Sequence, residues 1–369
     1  MSTGRPTGRP RLGCLGTGWI GRHRLQAIAA DGACEVVAVS DPSPEAAAAA
    51  AALAPGAEVV DSLDALLALG VDGLVVATPS ALHAEQAVAA LERGAAVFCQ
   101  KPLARTAAET RRVVDAARRA DRLLGVDLSY RETAGMRAVR EVVQGGAIGR
   151  VYAVDLTFHN AYGPDKGWFY DPRLAGGGCV IDLGIHLVDL ALWTLGWPAV
   201  AGASARLYSK GAPLRDPSRA VEDYAVATLD LAGEAGGDVA VRLACSWHLS
   251  AGRDAVIEAA FYGDRGGAAM RNVDGSFYDF VAERYEGTRR EALAEPPGDG
   301  TSEPWGGRAA VAWARRLAEG ARFDAEAERL VEVARALDLV YGRAGGADAL
   351  EAEADGAGDA AVALLADPA

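Results

Sequence analysis

The sequence predicts an α/β protein of two domains: a doubly wound parallel sheet comes first, and an α+β domain with a large, mostly antiparallel open sheet follows. The length of 369 residues exceeds what a single hydrophobic core usually organises. Short apolar runs alternate with amphipathic stretches up to about residue 130, and longer stretches of alternating apolar and polar residues follow. We therefore place the domains at residues 10–130 and 131–342, and we expect the low-complexity tail at 343–369 to be mobile or weakly helical.

Strands and helices take turns in the first domain. The predicted strands are "RLGCLG", "CEVVAVSD", "GLVVATP", "AAVFCQKP" and "RLLGVDLSY". The predicted helices between them are "WIGRHRLQAIAA", "PEAAAAAAALA", "ALHAEQAVAALERG" and "TAAETRRVVDAARRA". Because the connections are short, we expect the strands to run parallel, with helices on both faces of the sheet, as in a Rossmann domain.

The second domain is marked by longer alternating stretches. "GRVYAVDLTFHNAY", "AVEDYAVATLDLAG", "GGDVAVRLACSWHLS" and "DAVIEAAFYGDRGGAAMR" are typical of antiparallel strands in a half-exposed sheet. The stretch "GGGCVIDLGIHLVDLALW" predicts a helix, and "GRAAVAWARRLAEG" and "AEAERLVEVARALDLVYGRA" predict two more near the end. A substrate domain whose sheet opens onto a cleft fits this pattern.

Charge and composition exclude several classes of protein. The formal net charge of −13 argues against nucleic-acid binding and faintly favours a neutral or cationic substrate. No apolar run reaches the roughly 18 residues of a membrane span, and the N-terminus has no secretory pattern, so we expect a cytoplasmic protein. The five cysteines lack metal-ligand spacing, which predicts buried free thiols and no bound metal.

A glycine-rich turn follows the first strand and opens the first helix, with the spacing G-x-G-x-x-G. In such a turn the first glycine permits a tight bend, the second lets a pyrophosphate approach the backbone, and the third packs the helix on the strand. The N–H groups at the start of the helix then face the phosphates. The cofactor contacts that we assign to the turn are Gly16, Gly18, Trp19, Ile20 and Gly21.

Asp41 ends the second strand, where an acid can bind the hydroxyls of an adenine ribose. Its charge would repel a 2′-phosphate, and no Arg or Lys follows in "SDPSPEA", so we expect NAD rather than NADP. In the alternative interpretation the glycines are loop residues and Asp41 caps the next helix.

Two further loops lie at strand ends, where ligands of open α/β sheets bind. In "ATPSALH" we expect Thr78 and Pro79 beside the nicotinamide, and we add His83 to the cofactor-binding set although a structural polar contact is favoured for it. From "CQKP" we add Gln100 and Lys101 to the same cofactor-binding set.

Lysine occurs only as Lys101, Lys166 and Lys210, so each lysine is a candidate for selection by chemistry. Lys101 leaves a buried strand directly before a proline, and a stiff X-Pro bond that readily adopts the cis form would aim its ammonium group into the cleft. The alternative is a surface lysine in a loop.

The helix at residues 176–193 carries Asp182 and His186 four positions apart, so they share one face, and Gly184 between them is expected to leave room for a ligand. An imidazole exchanges a proton near neutrality, and a carboxylate can orient it or bind substrate. In the alternative interpretation His186 is a core histidine with Asp182 as its partner.

The order of these motifs, namely the glycine turn, the acid, "TP...H", "KP" and "GGG...DxGxHxxD", resembles the Gfo/Idh/MocA oxidoreductase family over roughly residues 10–342. The resemblance implies an NAD(P)-dependent dehydrogenase that acts on a hydroxyl of a sugar, cyclitol or related polyol. It also implies that Lys101, Asp182 and His186 match the family's catalytic triad, and that the chain forms a homodimer or homotetramer through its open sheet. The family usually has Glu before Lys-Pro, where this chain has Gln100. Because Gln carries no negative charge, we expect the pH optimum to differ from that of relatives with Glu at this position.

We hypothesise that hydride passes from a secondary alcohol to the nicotinamide while His186 accepts the hydroxyl proton and Lys101 stabilises negative charge on the oxygen. Asp182 orients the pair or binds a neighbouring hydroxyl. The expected substrate is a sugar, cyclitol or aminosugar, with aminoglycoside or other secondary-metabolite biosynthesis as a further hypothesis. The candidate substrate-binding residues are Tyr130, Arg131, His159, Tyr162, Lys166, Trp168, Tyr170 and His248.

Two alternatives stay open at this stage. The same fold could serve a keto-sugar reductase or a dihydrodiol-type dehydrogenase, because the three polar groups suit carbonyl and alcohol chemistry in either direction. A non-catalytic regulator could instead sense NAD with its first half and bind a partner with its second.

Overall fold

The structure is a computed structural model that describes residues 8–232, 238–296 and 305–343. Within this part the chain builds a six-stranded sheet and a nine-stranded sheet. The predicted tail lies outside the described residues, except for its first residue.

The first sheet is parallel throughout, as the sequence predicts. Its strands are β1 (Arg11–Leu15), β2 (Glu35–Ser40), β3 (Glu58–Val59), β4 (Gly73–Val76), β5 (Ala96–Cys99) and β6 (Leu124–Val126). They lie in the order β3-β2-β1-β4-β5-β6. The order reverses direction between β1 and β4, and ligands of open α/β sheets bind at the carboxyl ends of the strands beside such a switch point.

Helices cover both faces of this sheet. They are α1 (Trp19–Asp31), α2 (Pro44–Ala51), α3 (Leu63–Ala68), α4 (Ser80–Glu92) and α5 (Ala107–Ala120). Three of them begin at a side-chain cap, in which Ser43, Ser62 or Thr106 accepts a hydrogen bond from the backbone N–H three residues on. These caps satisfy N–H groups that the first turn of a helix leaves free.

The helix α9 (Arg308–Ala318) returns to the first sheet although it lies in the stretch assigned to the second domain. Trp313 on α9 is 4% exposed, and its ring centroid lies 5.7 Å from that of Phe98 on β5. A Cβ atom added to Gly73 or Gly125 would stand 2.8 Å from this indole ring. These glycines therefore make room for a ring that arrives from the far end of the chain, and the domain limits stay a prediction.

The second sheet is antiparallel except between β11 and β7. Its strands are β7 (Val151–Asn160), β8 (Val200–Ser209), β9 (Ala212–Pro213), β10 (Tyr224–Leu231), β11 (Val239–Ser246), β12 (Ala255–Gly263), β13 (Gly266–Asn272), β14 (Phe280–Glu286) and β15 (Arg289–Ala294). They lie in the order β15-β14-β13-β12-β7-β11-β10-β8-β9. This sheet confirms the second part of the predicted fold class.

One face of the second sheet is covered by helices, and within the described residues no helix packs on the other face. The covering helices are α6 (Ala134–Gln144), α8 (Ile185–Thr194) and α10 (Arg329–Val340), with the short α7 (Pro172–Ala175) before α8. Along β10 buried residues alternate with half-buried or exposed ones, as expected for a strand with one face in the core. The largest hydrophobic cluster lies between this sheet and its helices.

Residues Pro172–Thr194 form a helical stretch that is long and apolar enough to cross a membrane, with a hydropathy of 1.5. This corrects the expectation that no run reaches that length. Because 94% of the relevant window is buried inside the protein, the stretch is a core helix.

Candidate active site

The glycine turn after β1 has the geometry that a dinucleotide site requires. Gly16 has φ +82°, and a Cβ atom there would lie 2.6 Å from the backbone of Ala77. A Cβ atom on Gly21 would lie 2.1 Å from the carbonyl oxygen of Gly16, whereas one on Gly18 would meet no atom within 4 Å. Gly16 and Gly21 thus allow close backbone packing, and Gly18 leaves open space at the start of α1, where a pyrophosphate fits.

Asp41 lies beside this turn. Its carboxylate accepts hydrogen bonds from the backbone N–H of Thr17 at 2.6 Å and of Ser43 at 2.9 Å. The side chain is only half-buried. It is therefore held at the end of β2 with a partly exposed carboxylate, which suits an adenine ribose.

His83 connects the two loops at the ends of β4 and β5. Its Nδ1 lies 2.7 Å from the carbonyl oxygen of Pro102, and its Nε2 lies 2.6 Å from that of Thr78. The residue is 1% exposed. It therefore holds the two loops together, which favours the structural polar contact, and its cofactor role stays a prediction.

Lys101 and Asp182 meet between the two sheets. The Lys101 ammonium donates to Asp182 Oδ1 at 2.5 Å and to the Asp182 carbonyl oxygen at 2.8 Å. Asp182 Oδ2 accepts a further bond from the indole N–H of Trp247 at 3.0 Å. The Lys101–Pro102 peptide is cis, and both charged side chains stay partly exposed, at 19% and 16%. The alternative of a surface lysine is wrong.

Asp182 and His186 do not form the pair that their spacing predicts. Residues Val180–Gly184 form a π-helical turn that contains Asp182, and α8, which carries His186, begins at Ile185. Asp182 contacts Lys101 and Trp247, whereas His186 Nδ1 has no hydrogen-bond partner in the described part of the chain.

Gly184 also differs from its prediction. A Cβ atom there would lie 3.4 Å from Cys245 Sγ and 3.4 Å from Val180 Cγ1. The glycine therefore packs against β11 in the core and leaves no room for a ligand.

His186 lies in an environment that keeps its ring neutral. It is 8% exposed, and its ring centroid lies 4.8 Å from that of Tyr130 and 6.3 Å from that of Phe158. Burial, together with the positive charges of Lys101 and Arg24, holds the pKa of His186 well below its usual value. The imidazole is therefore unprotonated at pH 7, which is the form that a general base requires, and its lowered pKa also makes it a weaker base than an exposed histidine.

A buried polar network that the sequence did not reveal lies beside Lys101. Asp127, directly after β6, accepts hydrogen bonds on Oδ2 from Arg24 Nε at 2.5 Å and from Gln100 Nε2 at 2.5 Å. Ser129 donates to Oδ1 of the same carboxylate. All four side chains are at most 7% exposed. A carboxylate therefore lies next to position 100 even though Gln100 itself carries no charge. The position of Asp127 at a strand end was the available signal.

Several candidate substrate-binding residues are engaged elsewhere. Arg131 forms an ion pair with Asp189, with Nε 2.7 Å from Oδ2, and its guanidinium lies 5.1 Å from the Trp197 ring centroid. This pair is largely buried, and the substrate role of Arg131 stays a prediction. Tyr130 lies beside His186 but is only 7% exposed and packs among aromatic rings, so it belongs to the wall of the site.

The remaining candidates fall into three groups. Tyr170 and His248 are brought to the site, since their Oη and Nε2 atoms lie 3.4 Å apart and the Tyr170 ring lies 5.6 Å from that of Trp247. His159 lies on the open sheet face, with Nδ1 2.7 Å from Ser246 Oγ. The third group has no described contact to the Lys101–Asp182 pair. Tyr162 donates a hydrogen bond to Asp254, the Lys166 side chain is 68% exposed, and Trp168 stacks on Phe169.

Comparison with known proteins identifies both halves of the chain. Residues 11–128 match the family model described as "Oxidoreductase family, NAD-binding Rossmann fold", and residues 136–269 match the "GFO/IDH/MocA C-terminal domain". The D-glucoside 3-dehydrogenase of Escherichia coli (strain K12) is 33% identical over 64% of this chain and 69% of its own length. An inositol 2-dehydrogenase of Acidiphilium cryptum (strain JF-5) is 38% identical over 50% of this chain and 54% of its own length. The crystal structure of an oxidoreductase domain protein from Kribbella flavida superposes with a TM-score of 0.77 at 25% identity, covering 91% of this chain and 97% of that one.

Proposed function

The chain belongs to the Gfo/Idh/MocA family of NAD-binding oxidoreductases, and from that membership we propose that it transfers hydride between NAD and a secondary hydroxyl or keto group of a sugar, cyclitol or aminosugar. The observation that carries this proposal is the Lys101–Asp182 contact beside a neutral His186, at the carboxyl ends of the strands that also present the glycine turn.

The described residues fit the cofactor at two places. The open space at Gly18 and the first N–H groups of α1 would hold the pyrophosphate, and Asp41 would hold the adenine ribose. Bound NAD supplies the acceptor for hydride. Because Asp41 carries a negative charge, NAD is favoured over NADP.

Lys101, His186 and Asp182 have separate roles in the transfer of hydride and proton. Lys101 donates a charged hydrogen bond to the substrate oxygen and stabilises the negative charge that develops there as the C–H bond breaks. His186, neutral in its buried position, accepts the hydroxyl proton. Asp182 holds Lys101 through Oδ1, and Trp247 in turn holds Asp182, so the ammonium is oriented before substrate binds.

The experiment is NADH formation by the purified protein across a panel of sugars, cyclitols and aminosugars, with the reverse reaction on the corresponding ketones. A dehydrogenase reduces NAD with at least one secondary alcohol of the panel. NAD binding without turnover in either direction would instead support the NAD-sensing regulator.

We further propose that the protein is a cytoplasmic homodimer or homotetramer that associates through the open face of the nine-stranded sheet. The family resemblance and the exposed residues Thr228 and Asp230 of β10 support this assembly. Sedimentation of the purified protein tests it, and a monomer at micromolar concentration would contradict it.

A further inference from the structure

A pocket of about 1000 Å³ opens beside the proposed active site. Trp247 belongs to both places: its indole N–H donates to Asp182, and its ring lines the pocket together with Tyr170. Small-molecule pockets run from about 300 to 1,000 Å³, so this one has room for more than a single sugar ring.

The wall of this pocket is locally basic in an acidic protein. Arg206 on β8, Lys210 in the turn after β8, and His248 line it, and Asp223 is the one acid among the described lining residues. Asp223 accepts a hydrogen bond from the backbone N–H of Lys210 at 2.7 Å. No described residue pairs with the side chain of Arg206 or Lys210.

Two features mark Lys210 and its surroundings as more than a solvated surface. Lys210 is one of only three lysines in the chain, and another of them, Lys101, lies in the proposed active site. Lys210 also lies in a tight turn: Lys210 and Gly211, with φ +51° and +80°, join β8 to β9 as in a type I′ hairpin, which fixes the backbone that carries this lysine beside the pocket.

Aromatic rings complete the pocket. Tyr208 and Tyr224, opposite each other on β8 and β10, pack edge to face with centroids 5.9 Å apart. Such rings suit the apolar face of a sugar or another ring. The net charge of −13 disfavours an anion at long range, but screening limits that effect to about 8 Å in physiological salt. The cations that line the pocket therefore determine whether an anion binds there.

We propose that this pocket binds a phosphoryl group carried by the substrate, which makes a phosphorylated sugar or cyclitol the preferred substrate of the reaction proposed above. Arg206 and Lys210 donate charged hydrogen bonds to the phosphoryl oxygens, and the aromatic rings hold the attached rings. The inference rests on the proposed function for the identity of the reaction, whereas the anion site itself is independent of turnover.

Calorimetric titration tests the site. With NAD kept saturating, so that the dinucleotide site is filled, pyrophosphate, glucose 6-phosphate, UDP-glucose, glucose and glucosamine are titrated into the protein and into Arg206→Met and Lys210→Met. Arg219→Met is the matched control, because Arg219 is 85% exposed, pairs with Asp216, and does not line the pocket.

We expect at least one phosphoryl-bearing probe to bind tenfold or more tightly than glucose, and each pocket variant to lose about tenfold or more of that affinity with the control unchanged. Whether glucose 6-phosphate or UDP-glucose binds better identifies the source of the phosphoryl group. Equal affinity for phosphorylated and neutral probes, tighter binding of glucosamine, or unchanged affinity in both pocket variants would overturn the proposal.

A change of sedimentation in Lys210→Met with pyrophosphate affinity unchanged would also overturn it, since the cations would then serve contacts between subunits. The proposed function fails separately, because a protein that produces no NADH from any polyol would still bind pyrophosphate in this assay.

Discussion

The buried carboxylate of Asp127 makes position 100 sensitive to charge. Oδ2 of Asp127 receives bonds from both Gln100 and Arg24 at 2.5 Å, and all three residues are at most 7% exposed. Gln100→Glu therefore sets a second carboxylate about 3 Å from the first. At an effective dielectric constant of about 20, two such charges repel by roughly 5 kcal/mol.

Protonation of one of the two carboxyl groups removes the repulsion, so the destabilisation cannot exceed the free energy of that protonation. Protonating a carboxyl of ordinary pKa about 4.3 costs about 4 kcal/mol at pH 7 but only about 1 kcal/mol at pH 5. The introduced carboxyl has a raised pKa in the folded state, so its destabilising effect is absent at low pH and grows as the pH rises. We expect Gln100→Glu to lower the free energy of unfolding by about 4 kcal/mol at pH 7 and by about 1 kcal/mol at pH 5.

Urea unfolding of a small set of variants measures this effect. Asp127→Asn alone removes the partner of buried Arg24 and is expected to cost about 3–5 kcal/mol. The double variant Gln100→Glu with Asp127→Asn restores one carboxylate beside Arg24, so it should be more stable than either single variant. Gln26→Glu, on the exposed face of α1, is the control and should stay within about 0.5 kcal/mol.

The charge account is refuted if Gln100→Glu costs less than about 1 kcal/mol at pH 7, or if its cost does not shrink at pH 5. Strict additivity in the double variant would refute it as well, because additivity means that the two positions do not interact.

Three further predictions concern separate parts of the site. Burial and nearby cations lower the pKa of His186, so its unprotonated form persists as the pH falls. The value of kcat should therefore stay level well below pH 6.5. A kcat that falls to half its maximum at pH 6.5 or above would contradict this. Gly18→Ala should fold normally yet lose tenfold or more in NAD affinity by titration, whereas Gly21→Ala should fail to fold stably; equal behaviour would contradict the assigned roles. Arg131→Met should lower the free energy of unfolding by about 3–5 kcal/mol through loss of the Asp189 pair, with substrate KM unchanged in the surviving fold; a raised KM with full stability would support its substrate role.

Local signals in the sequence were sufficient for the fold class and the glycine turn. Alternating runs and short connections determine a parallel sheet, and G-x-G-x-x-G between a strand and a helix admits few other backbone shapes. Lys101 could be found because it follows a buried strand and precedes proline, where the cis peptide now lies.

Contacts that depend on tertiary structure could not be read in this way. The hydrogen-bond partners of Asp182 are Lys101 and Trp247, which lie far away along the chain, so the spacing of Asp182 and His186 could not show that the carboxylate is engaged elsewhere. The Arg24–Asp127 pair joins residues 103 positions apart, and Trp313 reaches the first sheet from the end of the chain. Only the folded arrangement of the strands brings such groups together.

The Lys101→Met variant tests the central claim most directly, through turnover measured under saturating NAD and alongside NAD affinity. The charge on Lys101 is proposed to stabilise the developing oxyanion, so kcat should fall by about 10²- to 10³-fold while NAD affinity stays at the wild-type value. Near-normal turnover in a variant that binds NAD normally would contradict the account.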